Sequence, residues 1–454
     1  MRKIPPSRLL LVLCAILVAP FRVSADEIQS LVDIYRLAQA NDPVLASAQS
    51  SRLAAQEKLV QGRALMLPTV TAGASLGHAN TNTEYGGTFT IFGTGGSGSY
   101  ETYGYNVNVT HPLFRKENSV QYEQSKTQVA QADEQLNNSR QDLMLRVSQA
   151  YFDVLLAQDK IDLIVAQKAA ITQQLEQAKA NFEVGTSTIT DVHEAQARFD
   201  LTTAQEIAAM NDLEIRKRAI QAITTQLPGR LASAKAGLQA VPPQPASMES
   251  WVELAEQNNL ALKVQLKSLE LATQEIDRAH ARHLPTVDVV GSFADTRNNG
   301  GATPASYLID QRVLSVGLQL QLPVYQGGAI TSKEREASAN RQKAQDDVET
   351  ARRQADLQAR QAFLNVSSSV AQVKAYEQAL VSSQSQLDST NLGYEVGVRT
   401  SVDVLNAQQQ LFSAKRDLLQ ARYTYLLSVL QLKAAAGVLQ EKDLSETSRQ
   451  LQGA

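Results

Sequence analysis

Cysteine is almost absent from this 454-residue chain: its single copy is Cys14. A disulfide framework and a thiolate metal cluster are both excluded. Histidine is also sparse, with five copies, and tryptophan occurs once. No His-x-x-x-His or phosphate-loop pattern occurs, so the corresponding zinc-hydrolase and nucleotide-binding signatures are missing. No apolar run reaches the 18 or so residues that a membrane-spanning helix needs. Proline is missing from two stretches of more than 60 residues, about 117–181 and about 330–391. Uninterrupted helices of that length, roughly 90–100 Å at 1.5 Å per residue, exceed any ordinary globular domain.

The N-terminus reads as an export signal. Arg2, Lys3 and Arg8 precede the apolar run Leu9–Ala19, Pro20 breaks it, and Val23-Ser24-Ala25 supplies small residues for cleavage after Ala25. A lipoprotein reading of Cys14 is rejected because Leu13 is too bulky for the position before a lipidated cysteine. Removing residues 1–25 takes away Arg2, Lys3, Arg8 and Arg22. That leaves 39 Lys+Arg against 46 Asp+Glu, a net charge of −7. Nucleic acid is therefore not an expected partner.

The remaining chain is a duplication. Leu67-Pro68-Thr69-Val70 recurs as Leu284-Pro285-Thr286-Val287, and His111-Pro112-Leu113-Phe114 corresponds to Leu322-Pro323-Val324-Tyr325. Phe182–Gln196 matches Tyr394–Gln408 with eight of fifteen pairs identical. The expected division is a signal at 1–25, a first repeat at 26–240, a Pro-rich linker at 241–250, a second repeat at 251–437 and a tail at 438–454. Each repeat reads helix, strand, loop, strand, very long helix, turn, helix. The first helix is expected over 28–66 and its copy over 251–283.

In the strands, Tyr103, Tyr105, Val107 and Val109 alternate with polar residues or glycine, as do Leu314, Val316, Leu318, Leu320 and Leu322. Period two with one apolar and one polar face suits a strand between lipid and an aqueous lumen. The Gly- and Ser-rich segment from Asn80 to Tyr100 is expected to be an exposed loop. Its Gly93–Gly98 pattern lacks the βαβ setting that a dinucleotide fingerprint needs. Four strands cannot close a membrane barrel, and an open edge in lipid leaves unpaired backbone groups. Pairing between chains follows, and three copies give twelve strands, enough for a lumen. In the second long helix, Ala344, Val348, Ala351, Ala355, Ala359, Ala362 and Val366 recur every three or four residues, a stripe suited to close helix packing.

The segment Glu395–Ala407 and its echo Glu183–Val192 resemble the helix-turn-helix tips of the TolC family, and the Leu-Pro segments and strand-loop-strand units match as well. The resemblance covers essentially the whole mature chain. It implies an α+β membrane protein whose duplicated strand-loop-strand and long-helix hairpin units form a homotrimer. A 12-stranded β-barrel in outer-membrane lipid would continue into a 12-helix α-barrel in the periplasm. It implies an exit duct for type I protein secretion or small-molecule efflux, no enzyme and no cofactor. A periplasmic adaptor and an inner-membrane ABC, RND or MFS transporter would be the partners. By the same resemblance Val184, Gly185, Val396, Gly397 and Thr400 would contact the adaptor. Thr190, Asp191, Tyr394 and Arg399 would latch the tip. Asp403 and Asn406 would form the pore constriction, with Asn406 standing where the family has a second acid. His193, beside Glu194 and near Asp191, reads as a solvated tip histidine rather than a metal ligand. The alternative reading is a periplasmic coiled-coil adaptor. Such adaptors have one hairpin flanked by compact β-domains, unlike the two hairpins and paired strands here.

Overall fold

The computed structural model describes residues 28–84, 95–232, 239–299 and 309–452. The expected signal segment lies outside these residues. The first element is two helices, not the single one expected over 28–66: α1 (Leu31–Asn41) and α2 (Pro43–Ala64). Asp42 divides them. Its side chain accepts from the Leu45 backbone N–H at 2.9 Å, and Pro43 opens the new helix, where its missing N–H costs nothing. Strands β1 (Thr69–Glu84) and β2 (Gly95–Phe114) lead into α3 (Lys116–Glu183), then α4 (Ile189–Thr224). The second half repeats the order. Helices α5 (Met248–Asn258) and α6 (Leu260–Ala281) are parted by Asn259, whose side chain caps Leu262. Then come β3 (Thr286–Asn298), β4 (Ile309–Gln321), α7 (Ala329–Glu395) and α8 (Ser401–Ala435). A last helix, α9 (Glu441–Gln452), follows.

Part of the expected loop over 80–100 is strand. Glu84 pairs with Gly95, and the ladder runs unbroken to Thr69 and Thr110. Backbone pairing carries this stretch, because Asn82, Ser97 and Gly98 bring no apolar side chain to it. Residues 85–94 are outside the described part of the chain.

The four strands form one antiparallel sheet in the order β1-β2-β3-β4, so β1 and β4 are both edges. The register sorts its faces. Leu76, Tyr103, Arg297 and Asp310 begin one face near the loop end; Ala72–Val107–Phe293–Leu314 and Val70–Val109–Gly291–Val316 continue it. Leu318 and Leu320, opposite Val289 and Val287, complete it toward the helices. The other face carries Thr71, Asn106, Asn108, Ser292, Ser315 and Gln319. The loop end of the first face carries the paired charges Arg297, Asp310, Asp295 and Arg312. From there toward the helices one apolar and one polar side extend across the strands, and Leu314, Val316 and Leu318 are 73–77% exposed on the apolar one.

The helices form a wall four wide at each level. Toward the sheet the order is α2-α3-α6-α7, and toward the far tip α4-α3-α8-α7. Helices α2 and α4 share α3 end to end. Asp42 meets Arg146 and Arg52 meets Asp133, while Arg216 meets Asp153 and Lys168 meets Glu206 further along. Across the wall Gln124 donates to Glu275, and Arg422 pairs with Glu377. At 68 and 67 residues, α3 and α7 are about 100 Å long. Five of the seven stripe residues on α7 are buried, with Ala344 and Ala351 half-buried. The large apolar residues gather instead at mid-height, where α1, α5 and α9 join the wall. There Leu31, Ile34, Tyr35, Trp251, Leu444 and Leu451 pack with Tyr151, Phe152, Leu155, Tyr423 and Leu426. No described helix is long and apolar enough to cross a membrane.

Candidate functional site: the hairpin tips

Both hairpins reverse by the same two devices. After α3, the Gly185 N–H donates to Phe182 O at 3.0 Å and the Thr186 N–H to Asn181 O at 2.8 Å. After α7, the Gly397 N–H donates to Tyr394 O at 3.1 Å and the Val398 N–H to Gly393 O at 2.8 Å. This pair of bonds is a Schellman closure, which demands a left-handed residue just past the helix. Gly185 and Gly397 supply it, each at φ +79°.

The next helix then starts on a capping box. Thr188 accepts from the Asp191 N–H, while Asp191 Oδ2 accepts from the Thr188 N–H at 3.0 Å and its hydroxyl at 2.9 Å. Thr400 and Asp403 repeat the arrangement, with both Oδ2 contacts at 2.9 Å. The signature Ser/Thr-x-x-Asp/Glu was present in the sequence as Thr188–Asp191 and Thr400–Asp403. It explains why Val-Gly, Thr and Asp are among the positions identical in the two halves.

Two of the latch candidates, Tyr394 and Asp191, lie at the seam between hairpins. Tyr394 Oη accepts from Asn181 Nδ2 at 3.0 Å. Asp191 Oδ1 accepts from the Ser401 hydroxyl at 3.0 Å, so within one chain its cross-hairpin partner is Ser401 rather than Arg399. Thr190 is exposed on the first turn of α4. The stem of Arg399 lies across Gly393, where a Cβ would come within 2.7 Å of Arg399 Cγ. Asn181 and Ser401 were not singled out from the sequence, because their roles depend on which hairpin lies beside which. Gly393, which makes room for Arg399 within its own turn, was not singled out either.

Arg399, Asp403 and Asn406 are brought together. They line a groove of about 720 Å³ between α7 and α8, with Ser383, Gln386 and Gln410. The Thr400 backbone N–H, then its hydroxyl and the Arg399 charge, hold the Asp403 carboxyl below the usual carboxylate range. Asp191 is held low chiefly by the Thr188 backbone N–H, against some burial, with help from the Thr188 and Ser401 hydroxyls. Asn406 Oδ1 accepts from Arg198 Nη2 of α4 at 3.1 Å. Val184, Val396 and Val398 are 65–75% exposed at the extreme end. His193 is exposed, and no described group of three or more His, Cys, Asp or Glu is arranged to hold a metal.

Known proteins resemble this chain along nearly its whole length. The family described as outer membrane efflux protein matches residues 34–226 and 251–438. Outer membrane protein TolC of Vibrio cholerae is 35% identical over 422 residues, 92% of this chain and 93% of that protein. Proteases secretion protein PrtF of Dickeya chrysanthemi is 31% identical, over 93% of this chain and 91% of its own length. Among solved structures, outer membrane protein VceC from Vibrio cholerae superposes with a TM-score of 0.71 at 19% identity, covering 90% of this chain and 96% of that one. These whole-length matches set aside the alternative of a periplasmic adaptor.

Proposed function

Because this chain belongs to the outer membrane efflux protein family and serves as an exit duct of the outer membrane, we propose that it works as a homotrimer docked to an adaptor and a pump. The observation that carries the trimer is the four-stranded sheet with one apolar face and two open edges. In lipid, each unpaired edge group costs several kcal/mol. Pairing β4 of one copy with β1 of the next removes every edge. Three copies give twelve strands, more than the eight or so that side chains fill. Leu314, Val316, Leu318 and Leu320 then face lipid, and Asn106, Asn108 and Gln319 face water. The same closure seats α7 against α2 and α4 of the neighbour. It covers Leu53, Leu201, Ile207, Leu357 and Leu364, which are exposed in a single chain.

At the periplasmic end, Val184, Gly185, Val396, Gly397 and Thr400 present the tip to a periplasmic adaptor, which links it to an inner-membrane ABC, RND or MFS transporter. Val184, Val396 and Val398 stand 65–75% exposed at the end of the hairpins, where a partner would cover them. Thr190, Asp191, Tyr394 and Arg399 hold the tip closed, and Asp403 and Asn406 line its narrowest part. Protein export of the type I kind is the favoured cargo, supported by the likeness to a protein named for protease secretion. Light scattering on detergent-extracted protein should give a polypeptide mass near three chains. A monodisperse monomer with intact β-signal overturns this assembly.

A further inference from the structure

The two hairpins carry related triplets on the first turns of their second helices. Asp191, Glu194 and Arg198 on α4 correspond, 212 residues on, to Asp403, Asn406 and Gln410 on α8. The second acid is therefore present in the first hairpin and absent from the second. The structure joins the two positions through one side chain. Arg198 Nε donates to Glu194 Oε1 at 3.3 Å, and its Nη2 donates to Asn406 Oδ1 at 3.1 Å. Arg198 and Glu194 are only partly exposed, at 29% and 38% of their side-chain surface.

We propose that Arg198 is a specificity-determining residue of the channel: it neutralises Glu194 beside Asn406, leaving Asp403 as the charged layer of the constriction. This rests on the reading that Asp403 and Asn406 line the pore. Residues three apart on a helix have Cβ atoms about 5–6 Å apart. The guanidinium on Asn406 therefore sits within about one Debye length of Asp403 at physiological salt. At that range a unit charge alters the potential that a passing ion feels. Arg399 lines the same groove as Asp403 and Asn406, and Asp191, nearby in sequence, is bound in its capping box and to Ser401. Among the described residues, Glu194 is the one acid that the Arg198 guanidinium meets in an ion pair. Removing either member of the pair uncovers the other, in three copies per trimer.

The test is two-sided. In planar bilayers, Arg198→Gln should uncover Glu194 and raise cation selectivity and block by multivalent cations severalfold. Glu194→Gln should uncover Arg198 and lower both. Arg198→Lys, which keeps the charge, should stay near the parent channel. Asp403→Ala is measured alongside, with size-exclusion chromatography confirming that each variant assembles. If Asp403→Ala lowers selectivity while Arg198→Gln and Glu194→Gln change nothing, or shift it in the same direction, the proposal is overturned and the constriction reading survives. If the pair shifts selectivity in opposite senses while Asp403→Ala is silent, charge control by Arg198 stands and the Asp403 layer lies elsewhere. If all three are silent, both ideas fall.

Discussion

Substituting Thr400 separates two roles that meet at the start of α8. Asp403 belongs to the proposed constriction, yet its Oδ2 is held by the Thr400 N–H and hydroxyl, both at 2.9 Å. The Thr400 hydroxyl in turn accepts from the Asp403 N–H at 3.2 Å. Thr400→Ala removes the cap and leaves the carboxylate charge in place. Loss of an N-cap of this type costs about 1 kcal/mol, which shifts the local folding equilibrium of the turn roughly fivefold. Asp403→Asn does the opposite, since its amide oxygen can still accept from Thr400 while the charge is gone. Thr400→Ala should therefore raise single-channel conductance or open probability without altering ion selectivity. Amide hydrogen exchange over Ser401 to Val404 should speed up by about the same fivefold. Asp403→Asn should weaken cation selectivity with little change in that exchange. If exchange at Ser401–Val404 is untouched by Thr400→Ala, the capping box does not hold the turn. If selectivity moves with Thr400→Ala as much as with Asp403→Asn, the two roles are not separable and the reasoning is wrong.

Three further outcomes follow from the same geometry. Gly397 has no neighbour within 4 Å of where a Cβ would stand, so only its φ of +79° resists substitution. Gly397→Val should cost at least about 1 kcal/mol and impair export, whereas Gly397→Asn, tolerant of that backbone region, should preserve it in a secretion assay. Asp42 is 3% exposed, caps α2 and takes a two-point contact from Arg146 at 2.9 and 3.1 Å. Asp42→Ala should lower trimer stability by about 3 kcal/mol, read as a drop in the melting temperature, with Asp42→Asn recovering the cap alone. The folded tip holds Asp191 and Asp403 below their ordinary range, so between the folded and unfolded values it binds fewer protons than an unfolded tip. Its stabilisation is complete above about pH 4 and fades as pH falls through the depressed folded values. Open probability should stay flat from pH 8 to 5 and rise below about pH 4, and less so in Thr400→Ala, where part of the cap is already gone.

Much of the long-range design was legible in the chain because it rests on periodicity. Proline-free stretches specify long helices, and a 3.7-residue stripe of alanine and valine marks where they touch. Alternation along β4 marks its two faces. The breaks at Asp42 and Asn259 were written in capping chemistry, as Asn41-Asp42-Pro43 and Asn258-Asn259, and a helix drawn by apolar pattern alone ran straight through them. The strand ends at Glu84 and Gly95 left no hydrophobic mark, because backbone pairing needs none.

The tips show most clearly where each level of information begins. Val-Gly, Thr and Asp recur in both halves, and those residues alone dictate a Schellman closure followed by a capping box, since every bond in them spans at most five residues. The chain by itself therefore determined the two hairpins, their near-identical turns and the strands that cannot close alone. Only the tertiary structure decided that Asn181 would meet Tyr394, that Asp191 would meet Ser401 and that Arg198 would reach Asn406. Those partners lie more than 200 residues apart. Their meeting depends on α3 packing beside α8 so that two separately specified turns arrive at the same height. Local hydrogen bonds shape each turn, but the burial of side chains along some 100 Å of helix is what brings the turns together.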